Sequence, residues 1–150
     1  MTKRLFFISV ALLAAAGSTA GAKTKPADLK WGAAPPSLPS GAQMAVVSGD
    51  PGKAGMFTVE IKFPAGYAVP AHSHPTKETL TVLSGKVGYG MSNKLDKAKA
   101  KWLTAGHKAV MNAKMNHWVF ADAPADVQVS GMGPFVINYV NPKDDPRNGK

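Results

Sequence analysis

The chain has 150 residues, 45% of them hydrophobic, with a formal net charge of +9, 15 Gly, 12 Pro and no Cys. That length fits one domain, and the apolar share is too high for a disordered chain. Without cysteine there is no disulfide, no thiolate metal site and no lipid carried on a cysteine, which excludes zinc fingers and iron–sulfur proteins and leaves imidazole and carboxylate as the metal donors to look for.

Lys3 and Arg4 precede the largely apolar run from Leu5 to Ala16, and small residues follow as far as Ala20-Gly21-Ala22, the A-x-A form of a secretory cleavage site. Residues 1–22 therefore read as a signal peptide, because the apolar run falls short of the roughly 20 residues that span a bilayer. No twin-arginine pair precedes the run, which points to the general secretory route and to a periplasmic or secreted protein with no integral membrane segment after cleavage. Residues 23–43, with Pro26, Pro35, Pro36 and Pro39, read as an extended Pro-rich arm. Its Trp31 is expected to dock on the body or on a neighbouring subunit.

From Met44 to Val140 the pattern is that of short strands. Phe57, Val59, Ile61 and Phe63 alternate with Thr58, Glu60 and Lys62, a period-two pattern that Pro64 and Gly66 end. Similar runs lie at Thr79–Leu83, Val87–Met91, Trp118–Phe120, Val127–Val129 and Phe135–Val140, with turn residues between them. No segment after residue 22 keeps a helical period, so an all-β sandwich or barrel is predicted over 44–140. The lysine-rich stretch Lys94–Lys101 reads as a solvated face or loop, and no nucleic-acid partner is expected of an exported protein. Residues 141–150 read as a polar tail.

The chemistry gathers between Gly66 and Gly85. His72 and His74 project to one side of an extended chain, Pro75 and Thr76 can turn it, and Glu78 opens the next β run. Two imidazoles and a carboxylate outline a metal site, and His117, at the head of another β run, would add a third imidazole while leaving coordination positions open. His107 follows Gly106 in a turn and reads as a surface residue. Side-chain parity sets Tyr89 and Met91 as candidates to line a pocket beside the metal. The remaining methionines are scattered and read as core filling.

Gly66-x5-His72-x-His74-x3-Glu78-x6-Gly85 matches the first motif of the cupin superfamily at every defined position. The second motif is matched at Gly106 and His117, whereas Asn112, Lys114 and Ala121 stand where Pro, Gly and Asn are usual. The chain thus resembles a small exported single-domain cupin of the type-2 kind. The resemblance implies a cupin jelly-roll β-barrel, a double-sheet antiparallel sandwich preceded by the arm. It also implies one divalent ion (Fe, Mn, Zn, Cu or Ni) held by His72, His74, Glu78 and His117, with a small-molecule ligand or substrate at the barrel mouth.

An ion of that kind supports oxygenase, isomerase or decarboxylase chemistry, while a non-catalytic periplasmic cupin that binds or senses a small ligand or a metal is the alternative, since one fold carries many functions. Similar cupins pair through sheet edges, so a homodimer is expected.

Overall fold

Period-two alternation places Phe57, Val59, Ile61 and Phe63 on the buried side of one strand, and it recurs in Val127 and Val129 and in Leu80 and Val82. The structure, a computed structural model, describes residues 28–149. The expected signal peptide and its cleavage site, the first residues of the arm (23–27) and Lys150 lie outside the described residues. The strands are β1 (Gly32–Ala33), β2 (Gln43–Ser48), β3 (Gly55–Phe63), β4 (Tyr67–Ser73), β5 (Glu78–Ser84), β6 (Lys86–Gly90), β7 (Lys101–Thr104), β8 (Lys108–Met111), β9 (His117–Ala121), β10 (Ala125–Gly133) and β11 (Asn138–Tyr139). Short 3₁₀ turns at Lys97–Lys99, Pro142–Asp144 and Pro146–Asn148 complete the elements, and no helix among the described residues is long and apolar enough to cross a membrane.

The strands form two antiparallel sheets, one in the order β1-β2-β3-β10-β5-β8 and the other β11-β4-β9-β6-β7. From β3 onward successive strands swap between the sheets, apart from the β6–β7 pair, as in a jelly roll. The main core lies where the sheets face each other, with Phe57, Val59, Leu80 and Val129 from the first meeting Tyr67, Val69, Val87 and Val119 from the second. The expected all-β sandwich is thus the observed one.

The neighbouring strands β9 and β6 depart from simple alternation for a packing reason. All five residues of β9 are buried because both its faces are covered: Val119 joins the main core, while Trp118 and Phe120 join Ala71 in a second cluster on the outer face, against Leu95 and Ala100. Opposite those two rings, β6 carries Gly88 and Gly90. A Cβ on Gly88 would lie 2.4 Å from the Phe120 ring, and one on Gly90 would lie 2.1 Å from that of Trp118. Glycine lets both rings lie flat on the sheet.

The arm joins the body. β1 pairs with β2, Leu38 is buried in the main core, and Lys62 Nζ sits 4.1 Å above the Trp31 ring on the arm's own body. The predicted run Phe135–Val140 forms only the two-residue β11; the residues before it turn toward the site described next. The polar tail is tied down by Arg147, which donates to the Ile137 carbonyl at 2.8 Å and pairs with Asp145 at 2.7 Å.

Candidate metal centre

The site is assembled at one end of the sandwich. His72 lies on β4, His74 just past it, Glu78 at the start of β5 and His117 at the start of β9. In β4 the inward residues Tyr67 and Val69 have odd numbers, so unbroken alternation would send His72 outward. A bulge prevents this: Val69 pairs with Val119 and His72 with His117, so three steps on β4 match two on β9. Pro70 and Ala71 fill the bulge. Proline has no N–H to give a ladder and suits such a position, and the extra residue returns His72 to the inner face.

The turn before His117 is set by backbone. Lys114 has φ +63°, and its N–H donates to the His74 carbonyl at 2.8 Å, which ties the two histidine-bearing segments together. The second motif usually has glycine here, and Lys114 keeps the left-handed conformation that glycine adopts at lower cost.

All four side chains are buried: His72 and His74 are 4% exposed, His117 1% and Glu78 7%. The ring nitrogens of the three histidines come within 4.8 Å of one another, a grouping that can share a metal ion. His74 Nε2 lies 2.6 Å from Glu78 Oε2. On the far side of each ring, Nδ1–H donates to a main-chain carbonyl: His72 to Pro70 at 2.7 Å, His74 to Val136 at 2.7 Å and His117 to Met115 at 2.9 Å. Because a carbonyl only accepts, each Nδ1 carries a proton, and a ring that is neutral therefore has its lone pair on Nε2. This orientation by outer hydrogen bonds is the one that metal-binding histidines require.

The inner nitrogens are poorly satisfied by the protein itself. His117 Nε2 is buried with no hydrogen-bond partner, and His74 Nε2 meets only the Glu78 carboxylate, 2.6 Å away. A buried polar atom left this way costs about 1–3 kcal/mol, and a bound cation would remove the cost. The donor set, nitrogen and carboxylate oxygen without sulfur, suits a first-row divalent ion.

Electrostatics point the same way. Burial, aided by the neighbouring His117 and His74 rings, pushes His72 down to about 3, and burial also lowers His117. Burial opposes charge on His74 and on Glu78 alike, yet each is overruled by the other, so His74 is raised and Glu78 lowered. Glu78 is therefore a carboxylate at neutral pH, facing two rings that stay neutral.

Of the softer candidates, Tyr89 is half-buried against the main core, on the inner face of β6 opposite Val119. Met91 lies one residue past β6 and is 38% exposed. His107 is exposed in the β7–β8 turn, as expected of a surface residue. Sequence reasoning missed two neighbours of the site. Phe135 stacks on His74 with ring centroids 5.0 Å apart, and Tyr139 lies 5.9 Å from His72. Their signal was present in the run Phe135–Val140, which read as an ordinary strand. A cleft of about 900 Å³ lies elsewhere, between the arm and the C-terminal turns, and none of the histidines lines it.

No protein-family model matches the sequence, and no curated protein matches it. Solved structures do resemble it. The polyketide cyclase RemF from Streptomyces resistomycificus superposes with a TM-score of 0.64 at 16% identity, covering 83% of this chain and 89% of that one. A putative acetylacetone dioxygenase from Methylibium petroleiphilum gives a TM-score of 0.64 at 19% identity over 87% of this chain and 88% of that one. An RmlC-like cupin from Shewanella frigidimarina gives 0.59 at 13% identity over 73% and 88%. The chain has the cupin fold, as its first motif led one to expect.

Proposed function

We propose that this chain is an exported, metal-dependent cupin that acts on a small molecule by oxygenase, isomerase or decarboxylase chemistry. One observation carries the reading: His72, His74 and His117 are fixed as Nδ1–H tautomers by three main-chain carbonyls, and their ring nitrogens gather within 4.8 Å of one another beside the Glu78 carboxylate. The bound ion would supply Lewis acidity and open positions for substrate or oxygen. His72, His74, Glu78 and His117 would hold it, and the Pro70, Val136 and Met115 carbonyls would keep the imidazoles in register. With Glu78 engaged as a ligand, no other acid is buried beside the site to serve as a general base, since the buried polar side chains among the described residues are these four alone.

Elemental analysis of protein taken from its native compartment tests the centre. One divalent ion per chain is expected, and His72→Ala should lower metal affinity at least about a hundredfold, more than the loss of an outer hydrogen bond costs. Absence of stoichiometric metal would overturn the reading. Turnover and oxygen uptake by the loaded protein, measured against a panel of small carbonyl and phenolic compounds, separate an enzyme from a binding or sensing cupin, which would bind ligand without turnover. Export predicts a mature N-terminus at Lys23 in the periplasmic or secreted fraction. Light scattering on the mature protein tests the homodimer, whose contact would use the sheet edges.

A further inference from the structure

Away from the histidines, the cleft between the arm and the C-terminal turns, about 900 Å³, has the size of a small-molecule site. Five of its lining residues are prolines: Pro36 and Pro39 from the arm, Pro70 from β4, and Pro142 and Pro146 from the turns. A proline has no N–H to leave unpaired, and three of the five carbonyls are already engaged. That of Pro39 accepts from the Tyr67 hydroxyl, that of Pro70 from His72 Nδ1–H and that of Pro142 from the Asn148 side-chain amide. An apolar body can therefore cover this lining while stranding few backbone polar groups. Both walls are also held in place beforehand. Tyr67 and Tyr139 tie the arm to the body through Pro39 and Ser37, and Arg147 ties the turns down through the Ile137 carbonyl. A cleft built this way loses little freedom when a ligand settles in it.

We propose that this cleft binds a small amphipathic cation, whose apolar body lies on the prolines and whose ammonium or guanidinium group meets the Asp144 carboxylate. The charged groups at the cleft decide the sign. Asp145 is taken by Arg147, which bonds it at 2.7 and 2.8 Å, whereas Asp144 and Lys143 form no ion pair among the described residues. The short side chain of Asp144 keeps its charge at the wall, while the Lys143 ammonium rides on a long stem that reaches out to water. Tyr139, whose hydroxyl meets the arm, registers the balance: burial raises it first, and Asp145 and Asp144 raise it further against the opposing Arg147. A cation is thus drawn to Asp144 and an anion is repelled. Because Asp144 is exposed, the ion pair is partly screened and the apolar lining supplies most of the affinity. No metal takes part in this binding, so the cleft is a second site, independent of the metal centre.

The test titrates the isotope-labelled mature chain at neutral pH with 4-phenylbutylamine, a cation, and with 4-phenylbutanoate, an anion of the same length. Nuclear magnetic resonance follows the amide signals of Ala33, Ala34 and Ala68, which line the cleft. The amine is expected to shift these signals and to bind about fivefold more tightly than the carboxylate, the difference that an exposed ion pair allows. Asp144→Asn, which keeps the shape of the side chain, should erase that preference while the rest of the spectrum shows the fold unchanged. In the wild type, about 0.5 M salt should narrow it, since salt screens an exposed pair. The proposal is overturned if neither probe shifts the three signals at millimolar concentration, or if the preference survives Asp144→Asn or is indifferent to salt. Equal or tighter binding of the carboxylate would give the deciding charge to Lys143 and overturn it as well. Removal of residues 23–27 should leave the three signals in place. If it shifts them, the chain's own first residues fill the cleft; if they move with protein concentration, a second copy does; either result sinks the proposal.

Discussion

Lys114 shows how a motif can lapse in sequence and persist in backbone. The φ of +63° that glycine would adopt freely is held by a lysine, whose N–H still bonds the His74 carbonyl. A left-handed residue with a Cβ is strained by roughly 1–2 kcal/mol, part of which glycine gives back through the freedom it adds to the unfolded chain. Lys114→Gly is therefore expected to stabilise the protein by about 1 kcal/mol, raising Tm by about 3 °C in a thermal melt. An unchanged or lower Tm would show that the turn is not strained. At this scale the grouping of the candidate ligands was legible. The spacing of His72, His74 and Glu78 stands out in any reading of the chain, and His117 could be paired with them despite the altered positions Asn112, Lys114 and Ala121. The tautomers were not legible, because the carbonyls that fix them belong to Pro70, Met115 and the distant Val136, and main-chain groups leave no mark in a sequence.

At the scale of the element, alternation located the strands but not always their faces. It served β3 and β10, where one side meets the core and the other is wetter. It gave no account of how β4 brings His72 inward, since the bulge at Pro70 and Ala71 shifts the parity; the proline within a β run was the available sign. In β9 alternation vanishes because a second apolar cluster covers the outer face. The partner of that cluster is β6, and its glycines carry a testable consequence. A methyl group on Gly90 would meet the Trp118 ring at 2.1 Å, and the ring is held by its Nε1–H donating to Ser92 Oγ at 2.8 Å. Since ring and strand cannot both stay, Gly90→Ala is expected to destabilise by about 2 kcal/mol despite the better strand propensity of alanine. Urea unfolding followed by tryptophan fluorescence measures this, and a neutral or stabilising result would mean that the ring has room to move.

At the scale of the whole molecule, the arm and the barrel are one unit, stitched by two phenols. The Tyr67 hydroxyl donates to the Pro39 carbonyl and that of Tyr139 to the Ser37 carbonyl, each at 2.8 Å. A composition read along the chain separates a Pro-rich arm from the β domain, but bonds between residues 28 and 102 positions apart lie beyond any local pattern. Both phenols are raised above the ordinary tyrosine value by burial, Tyr139 to about 12. The folded state therefore keeps these protons where the unfolded chain has begun to lose them. Their contribution is whole below about pH 10 and is lost as pH rises from there through the folded value of Tyr139, about 12, with Tyr67 following. Ionising either phenol also removes the donor that holds the arm. Urea midpoints measured from pH 8 to 12 should thus fall more steeply for the wild type than for a Tyr67→Phe/Tyr139→Phe double variant. That variant should begin with lower stability, having left the Pro39 and Ser37 carbonyls without their donors. Because lysines titrate over the same range in both proteins, only the difference between the two curves reports on the phenols. Parallel curves would show that these hydroxyls do not couple the arm to the barrel.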